Sequence, residues 1–424
     1  MSGLIETLRA RGLIEAETST DIEKVVEKPI SVYCGFDPTA ESLHLGNYVA
    51  IMGLAWFRRF GHTPVVIVGG ATGSIGDPSG KSQERVLLSQ EDTDRNARAI
   101  YGTIDTILGR TGGSQDVVML NNRDWFQSMG FLDFLRDIGK HFRVGTMISR
   151  ESVRTRLESE EGISYTEFSY QLLQSYDFYH LFKEHNVCCQ LGGSDQWGNI
   201  TAGIEFVRKK TGKEVWGLTF PLLVRSDGKK FGKSEKGAVW LSDSKLSVYD
   251  FYQYLYRVSD QDVIRLLKAL TFIELDEIAV LEERMKTPSY VPNTAQKVLA
   301  EEVTRIVHGE EGLTIAHKIT QKARPGQGEA EFSVESIEHM IGHVPCHSLP
   351  KEEVMEKRIC DVIATCNFVK SRADVRRLIK NRGLSVNARK VEDELEVIGA
   401  SDLVGEKYIV FSLGKKNRAI LEIR

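Results

Sequence analysis

Short β-branched runs and longer helical patterns alternate through the first half of this 424-residue chain, and that alternation narrows the fold more than any other feature. The segments Ile30–Phe36 (ISVYCGF), Pro64–Gly70 (PVVIVGG), Val117–Asn122 (VVMLNN) and Val187–Gly193 (VCCQLGG) each read as a buried strand. Between them, Val49–Phe60 and Glu167–Glu184 carry helical periodicity. Strands interleaved with helices predict an α/β fold, a parallel sheet covered on both faces. In such a sheet ligands bind outside the carboxyl ends of the strands. The loops that follow each strand are therefore where chemistry is expected.

From about Ser247 to Lys322 the pattern changes to helices alone, and Gln321–Glu331 (QKARPGQGEAE) has the Pro, Gly and charge content of a linker. The reading is a parallel-sheet domain over 1–245, a helical domain over 246–320, a linker region over 321–350 and a small domain over 351–424. A formal net charge of −4 excludes a uniformly basic nucleic-acid coat, so any polyanion site must be a local patch. Six cysteines, with no paired C-x-x-C spacing, read as free thiols in a reducing compartment. The first twenty residues have no apolar signal core and include Glu6, Glu15 and Glu17. No run approaches the ~20 apolar residues of a membrane span. A cytoplasmic protein is expected.

Four segments carry groups suited to chemistry. The loop of Tyr33–Ile51 (YCGFDPTAESLHLGNYVAI) gathers Asp37, Thr39, His44, Gly46 and Asn47 where a strand hands over to a helix. Unpaired amides at a helix start bind phosphate, although a histidine there is more often a cap or a surface group. In Gly69–Arg85 a glycine-rich turn is followed by Lys81 and Arg85, which share a helix face if the segment is helical. By itself this is as consistent with a solvated surface loop. Lys229, Lys230 and Lys233 cluster among glycines in Asp227–Trp240, a cationic loop able to close over a polyphosphate. Tyr170, Gln174 and Asp177 stand at i, i+4 and i+7, a polar stripe on one helix face amid Tyr and Phe. That setting favours a polar pocket over solvent.

These residues carry a resemblance. HLGN (44–47) with KFGKS (230–234) resembles the paired signatures of class I aminoacyl-tRNA synthetases. Together with YCGFDPTAESLHLG, GGATGSIGDPSGK, YQLLQSYD and LGGSDQWGNI, they resemble the bacterial tyrosyl-tRNA synthetase family over essentially the whole chain. The resemblance implies a Rossmann-like catalytic domain, an all-helical domain and a small α+β RNA-binding domain, acting as a homodimer. It implies ligation of tyrosine to tRNA(Tyr) in two steps: adenylate formation from ATP, with Mg2+ carried by the phosphates, then transfer to the tRNA. No protein metal site is implied.

The same resemblance implies residue roles. Tyr33 and Asp177 match positions that bind the substrate hydroxyl; Asp77, Tyr170 and Gln174 match those that hold its ammonium group. Asn122 would support the pocket wall, and Gln196 would lie near the reacting groups. Cys34, Asp37, Gly193 and Asp195 would lie near the ATP ribose, and Thr39, His44, Gly46 and Asn47 near its phosphates. Lys81, Arg85, Lys230 and Lys233 would surround the leaving pyrophosphate. Position 47 departs from the family signature, with asparagine in place of histidine; an amide still donates a hydrogen bond but cannot become cationic. A tryptophan-specific synthetase shares the phosphate-binding parts, but the Tyr33/Asp177 pair argues against it.

Near the C-terminus, Asn367–Asp393 is locally basic. Lys370, Arg372, Arg376, Arg377 and Lys380 fit a helix–turn–strand pattern, and Lys415 and Lys416 lie in a predicted hairpin. The segment resembles the ribosomal-protein-type RNA-binding module that ends bacterial members of the family. The segment Phe131–Ile148 resembles the family's subunit contact.

Overall fold

The computed structural model describes residues 3–80, 88–160, 162–234, 237–323, 332, 334–338, 340–341, 344–369, 371–387, 389–414 and 417–424. Lys81, Arg85, Lys370, Lys415 and Lys416, all singled out above, lie outside the described residues. The chain divides into two compact units, Met1–Ser247 with Phe251–Gly309, and Val248–Asp250 with Glu310–Arg424.

The first unit is built on a six-stranded sheet. Its strands in chain order are β1 (Ala16–Glu17), β2 (Ser31–Phe36), β3 (Thr63–Val68), β4 (Val118–Asn121), β5 (Val187–Gly193) and β6 (Trp216–Phe220). In space they run β1-β6-β5-β2-β3-β4, all parallel except for the antiparallel β1–β6 pair. The four strands read from sequence are all present. The sheet is extended by β6 and β1, which sequence did not suggest: one is short and contains Gly217, the other is two residues long. From β2 the chain steps outward through β3 and β4, then returns to add β5 and β6 on the opposite side. That reversal leaves a crevice at the carboxyl ends of β2 and β5.

Four helices frame the crevice: α1 (Leu45–Arg59), α2 (Gln90–Arg110), α3 (Tyr165–His185) and α4 (Trp197–Thr211). The first begins four residues earlier than its apolar periodicity implies. His44 caps it through a reciprocal box: its Nδ1 accepts from Gly46 N at 3.1 Å, and Asn47 Oδ1 accepts from His44 N at 3.1 Å. The helix then buries Tyr48, Ile51, Met52, Leu54 and Phe57, which anchors its start rigidly beside β2. Beyond residue 247 the regular structure up to 323 is helical, and Thr294–Ala323 is broken at Gly309 (φ 76°, ψ 179°).

The second unit carries a five-stranded sheet of β7 (Cys346–Leu349), β8 (Leu384–Val386), β9 (Arg389–Lys390), β10 (Tyr408–Leu413) and β11 (Asn417–Ile423), ordered β9-β8-β10-β11-β7. Helices Ile359–Thr365 and Arg372–Lys380 cover it through Ile363, Val375 and Ile379, which pack with Phe411 and Leu421. Arg372, Arg376, Arg377 and Lys380 are left exposed on the second helix. Three of them are paired: Arg372 with Asp361, Arg376 with Glu394 and Arg377 with Asp374. Among the described residues no helix is long and apolar enough to cross a membrane.

Candidate active site

A cavity of about 410 Å³ opens at the carboxyl ends of β2 and β5, large enough for a small-molecule ligand. Tyr33 lines it from β2, 1% exposed, and its hydroxyl has no hydrogen-bond partner among the described residues. Burial pushes that phenol well above its ordinary pKa, and the charge of Asp177 adds to the effect. Asp177 projects from α3 and is held from behind. Trp125 Nε1 donates to its Oδ1 at 2.9 Å and Asn122 Nδ2 to its Oδ2 at 3.1 Å. Burial raises the Asp177 pKa to about 7, while these two hydrogen bonds pull it down. An orphaned buried hydroxyl near a carboxylate with lone pairs to spare suits a ligand group that both donates and accepts.

Asn122 is fully buried and stands behind the cavity wall. It also donates to Thr72 Oγ1 at 2.9 Å and accepts from Ala71 N at 2.8 Å. Thr72 in turn donates to Asp37 Oδ1 at 2.7 Å, and Tyr170 OH donates to Asp37 Oδ2 at 2.8 Å. One hydrogen-bonded chain thus joins Asp177 to Asp37. Gly69 makes it possible: a Cβ there would stand 2.1 Å from Asp37 Oδ1.

A second cluster surrounds Asp77, whose Oδ2 accepts from Gln196 Nε2 at 2.6 Å and whose Oδ1 accepts from Ser79 N at 2.9 Å. Gln174 lines the same wall, so Tyr170, Gln174 and Asp177 all face the cavity from α3. Farther along, Cys34, Gly193 and Asp195 line it together. Burial pushes the Cys34 thiol up to about 12, and raises the Asp195 carboxyl with help from Asp77. A thiol held so firmly protonated is a hydrogen-bonding group, not a nucleophile.

Thr39, His44, Gly46, Asn47, Lys230 and Lys233 complete the rim. Here the structure corrects one expectation. The first amides of α1 are not open to a phosphate: Leu45 N donates to Val239 O, Gly46 N to His44 Nδ1 and Asn47 N to His44 O. Any phosphate contact at this end must come from side chains, including the NH2 group of Asn47. The occupied amides have a different use. Leu45 N stitches the lysine loop to the helix start, together with Val239 N→Gly232 O and Leu241 N→Leu43 O at 2.8 Å, while the other two close on His44. Gly232 adopts φ +83°, and a Cβ there would stand 2.9 Å from Gly46 N, so only glycine fits. Its amide donates to Tyr254 OH at 2.9 Å.

The chain matches the family described as tRNA synthetases class I (W and Y) over residues 24–323, and the tyrosine–tRNA ligase SYY-like C-terminal domain over 336–421. It is 51% identical to a tyrosine–tRNA ligase of Protochlamydia amoebophila, across 100% of this chain and 99% of that one. The chain belongs to the tyrosine–tRNA ligase family. A chloroplastic/mitochondrial tyrosine–tRNA ligase of Arabidopsis thaliana is 50% identical across 99% of this chain and 83% of its own. Among solved structures, a C-terminally truncated mitochondrial tyrosyl-tRNA synthetase of Aspergillus nidulans superposes with a TM-score of 0.68 at 30% identity, covering 76% of this chain and 94% of that one.

The match to tRNA synthetases class I (W and Y) over 24–323 contains the whole cavity. Sequence reasoning missed Thr72, which lines the cavity, and Trp125, Asn199 and Tyr254, which hold cavity-lining groups from behind. Trp125 had a faint signal, three residues after Asn122 and thus one helical turn away. The others act across long sequence separations that no local pattern shows.

Proposed function

We propose that this chain activates tyrosine with ATP, giving tyrosyl-adenylate and pyrophosphate, and then transfers the tyrosyl group to the 3′ end of tRNA(Tyr). The observation that carries the reading is the Tyr33–Asp177 pair, an unpartnered buried hydroxyl and a doubly braced carboxylate that line the same cavity. A phenol hydroxyl donates to Asp177 and accepts from Tyr33. The α-ammonium group meets Asp77, Tyr170 and Gln174, with Gln196 next to the reacting carboxylate. Cys34, Asp37, Gly193 and Asp195 take the ribose. Thr39, His44, Gly46 and Asn47 border the phosphates, and Lys230 and Lys233, with Lys81 and Arg85, receive the pyrophosphate charge. Mg2+ enters with ATP as part of the substrate. The tyrosine carboxylate is itself the nucleophile, so the protein's contribution is alignment and stabilisation of charge on the phosphates.

Transfer to tRNA requires a polyanion contact, and the exposed cations of Arg372–Lys380 supply one. The double substitution Arg376→Ala, Lys380→Ala should raise KM for tRNA about tenfold and flatten its salt dependence. Tyrosine activation should not change. A fall in activation equal to the fall in charging would contradict that division of labour. The segment Phe131–Ile148 exposes Phe131 (66%), Leu132 (77%) and Val144 (58%), an apolar face that supports pairing of two copies.

Asn47 has two duties in this reading, helix cap and phosphate donor. Asn47→Ala should slow activation about tenfold and leave tyrosine affinity nearly unchanged, while removing about 1 kcal/mol of stability with the cap. Weaker tyrosine binding at an unchanged rate would reverse the assignment. The direct test of the whole function is aminoacylation of tRNA(Tyr) by the purified protein, which should accumulate tyrosyl-tRNA; a tRNA left uncharged would overturn it.

A further inference from the structure

Asn199 belongs to none of the substrate contacts above, yet it sits where three of them meet. It occupies the third position of α4 and is 7% exposed. Its Nδ2 lies 3.1 Å from Gln174 Oε1, 3.2 Å from Gln196 Oε1, 3.4 Å from Asp77 Oδ1 and 3.4 Å from Ser79 Oγ. An amide nitrogen has two hydrogens to share among these four acceptors. The start of α4 is fixed as well: the Gly198 carbonyl accepts from Arg150 Nη1 and, at 3.3 Å, from Gln171 Nε2.

We infer that Asn199 is a positioning residue for the α-ammonium site, holding the amide oxygen of Gln174 toward the cluster and turning the NH2 of Gln196 onto Asp77, so that the Gln174 oxygen and the braced Asp77 carboxylate are the acceptors offered to the substrate cation. This rests on the reading of the cavity as a tyrosine site. The physical reason is the two-fold ambiguity of a glutamine side chain, whose terminal amide presents either oxygen or NH2 after a half-turn. With Asn199 donating, Gln174 keeps its oxygen toward the cluster. Gln196 keeps its oxygen on Asn199, which directs its NH2 onto Asp77. Without that donor, nothing else in the cluster stops the Gln174 amide from turning an NH2 group toward an ammonium ion. The carboxylate of Asp77 would also lose one of the donors that hold its orientation.

The test separates a positioning role from simple packing by removing the ammonium group from the ligand. Equilibrium binding is measured for tyrosine, for tyramine, which keeps the ammonium, and for 3-(4-hydroxyphenyl)propionate, which lacks it. Asn199→Ala should weaken tyrosine and tyramine about tenfold, the effect of one lost hydrogen-bond partner at a charged group. Binding of the deaminated acid should stay within about twofold, because it has no ammonium group for Asp77 and Gln174 and keeps only its carboxylate beside Gln196. Asn199→Ser, which retains a donor in less volume, should show the same selectivity with a smaller loss. Equal weakening of all three ligands in both variants, or no weakening of any, would overturn the proposal. Failure of the unaltered protein to bind tyrosine would instead overturn the reading on which it rests.

Discussion

Asp177→Asn should lower kcat/KM for tyrosine about 100-fold while changing the weak reaction with phenylalanine by less than about threefold. The carboxylate uses its two oxygens to accept from Trp125 and Asn122, and still has lone pairs for a ligand hydroxyl. An asparagine has one acceptor atom and a donor, so one of the two bracing groups loses its partner and an N–H points where the phenol must donate. Phenylalanine has no hydroxyl to lose. A parallel fall for both amino acids would place Asp177 outside the hydroxyl site.

The same substitution has a stability consequence of definite sign. The Asp177 carboxyl titrates at about 7 in the folded protein against an ordinary value of 3.8. Between those values the folded state holds a proton that the unfolded state has released. Stability conferred by that proton is complete below about pH 4 and declines as the pH rises to about 7. Its whole size is at most roughly 4 to 5 kcal/mol, at about 1.4 kcal/mol for each pH unit. Asp177→Asn carries no such titration. Urea denaturation should therefore show the wild type losing stability relative to the variant between about pH 4 and pH 7. Parallel pH profiles would mean that Asp177 is ionised throughout.

Replacing both Lys230 and Lys233 by alanine should reduce the rate of tyrosine activation about 1,000-fold, with tyrosine affinity within about threefold of wild type. Both lysines are exposed on the cavity rim, so their charge costs little in the resting protein. Their effect arises when negative charge builds on the departing pyrophosphate. The loop is held close by the Gly232 amide on Tyr254 OH and by the strand-like pairing of His44 with Trp240. Rapid-kinetic measurement of activation, with tyrosine binding measured separately, separates the two quantities. Equal losses in affinity and rate would mean that the lysines bind the ground state only.

Much of this was legible before any coordinates. β3 reads as a strand because Pro64–Val68 is a continuous buried apolar run, as parallel strands covered on both faces require. The Tyr170–Gln174–Asp177 stripe was legible because a helix face has a fixed period and this one broke the apolar rule. The His44 cap was legible as an alternative, but the pairing of Leu45 N with Val239 was not, since it depends on how a loop some 190 residues later folds back. Asn199 escaped for a similar reason. Its importance lies in four acceptors drawn from α3, from the Asp77 loop and from the turn after β5, and nothing in LGGSDQWGNI marks it out. Local periodicity shows which elements form; the hydrogen bonds that aim a site are mostly made between them.

The most direct measurement is ATP–pyrophosphate exchange by the purified protein with tyrosine, phenylalanine and tryptophan offered separately. Exchange supported by tyrosine alone is the predicted result, because of the three only tyrosine has a hydroxyl to satisfy both Tyr33 and Asp177 in the cavity wall. Exchange at a comparable rate with phenylalanine or tryptophan, or no exchange with tyrosine, would contradict it.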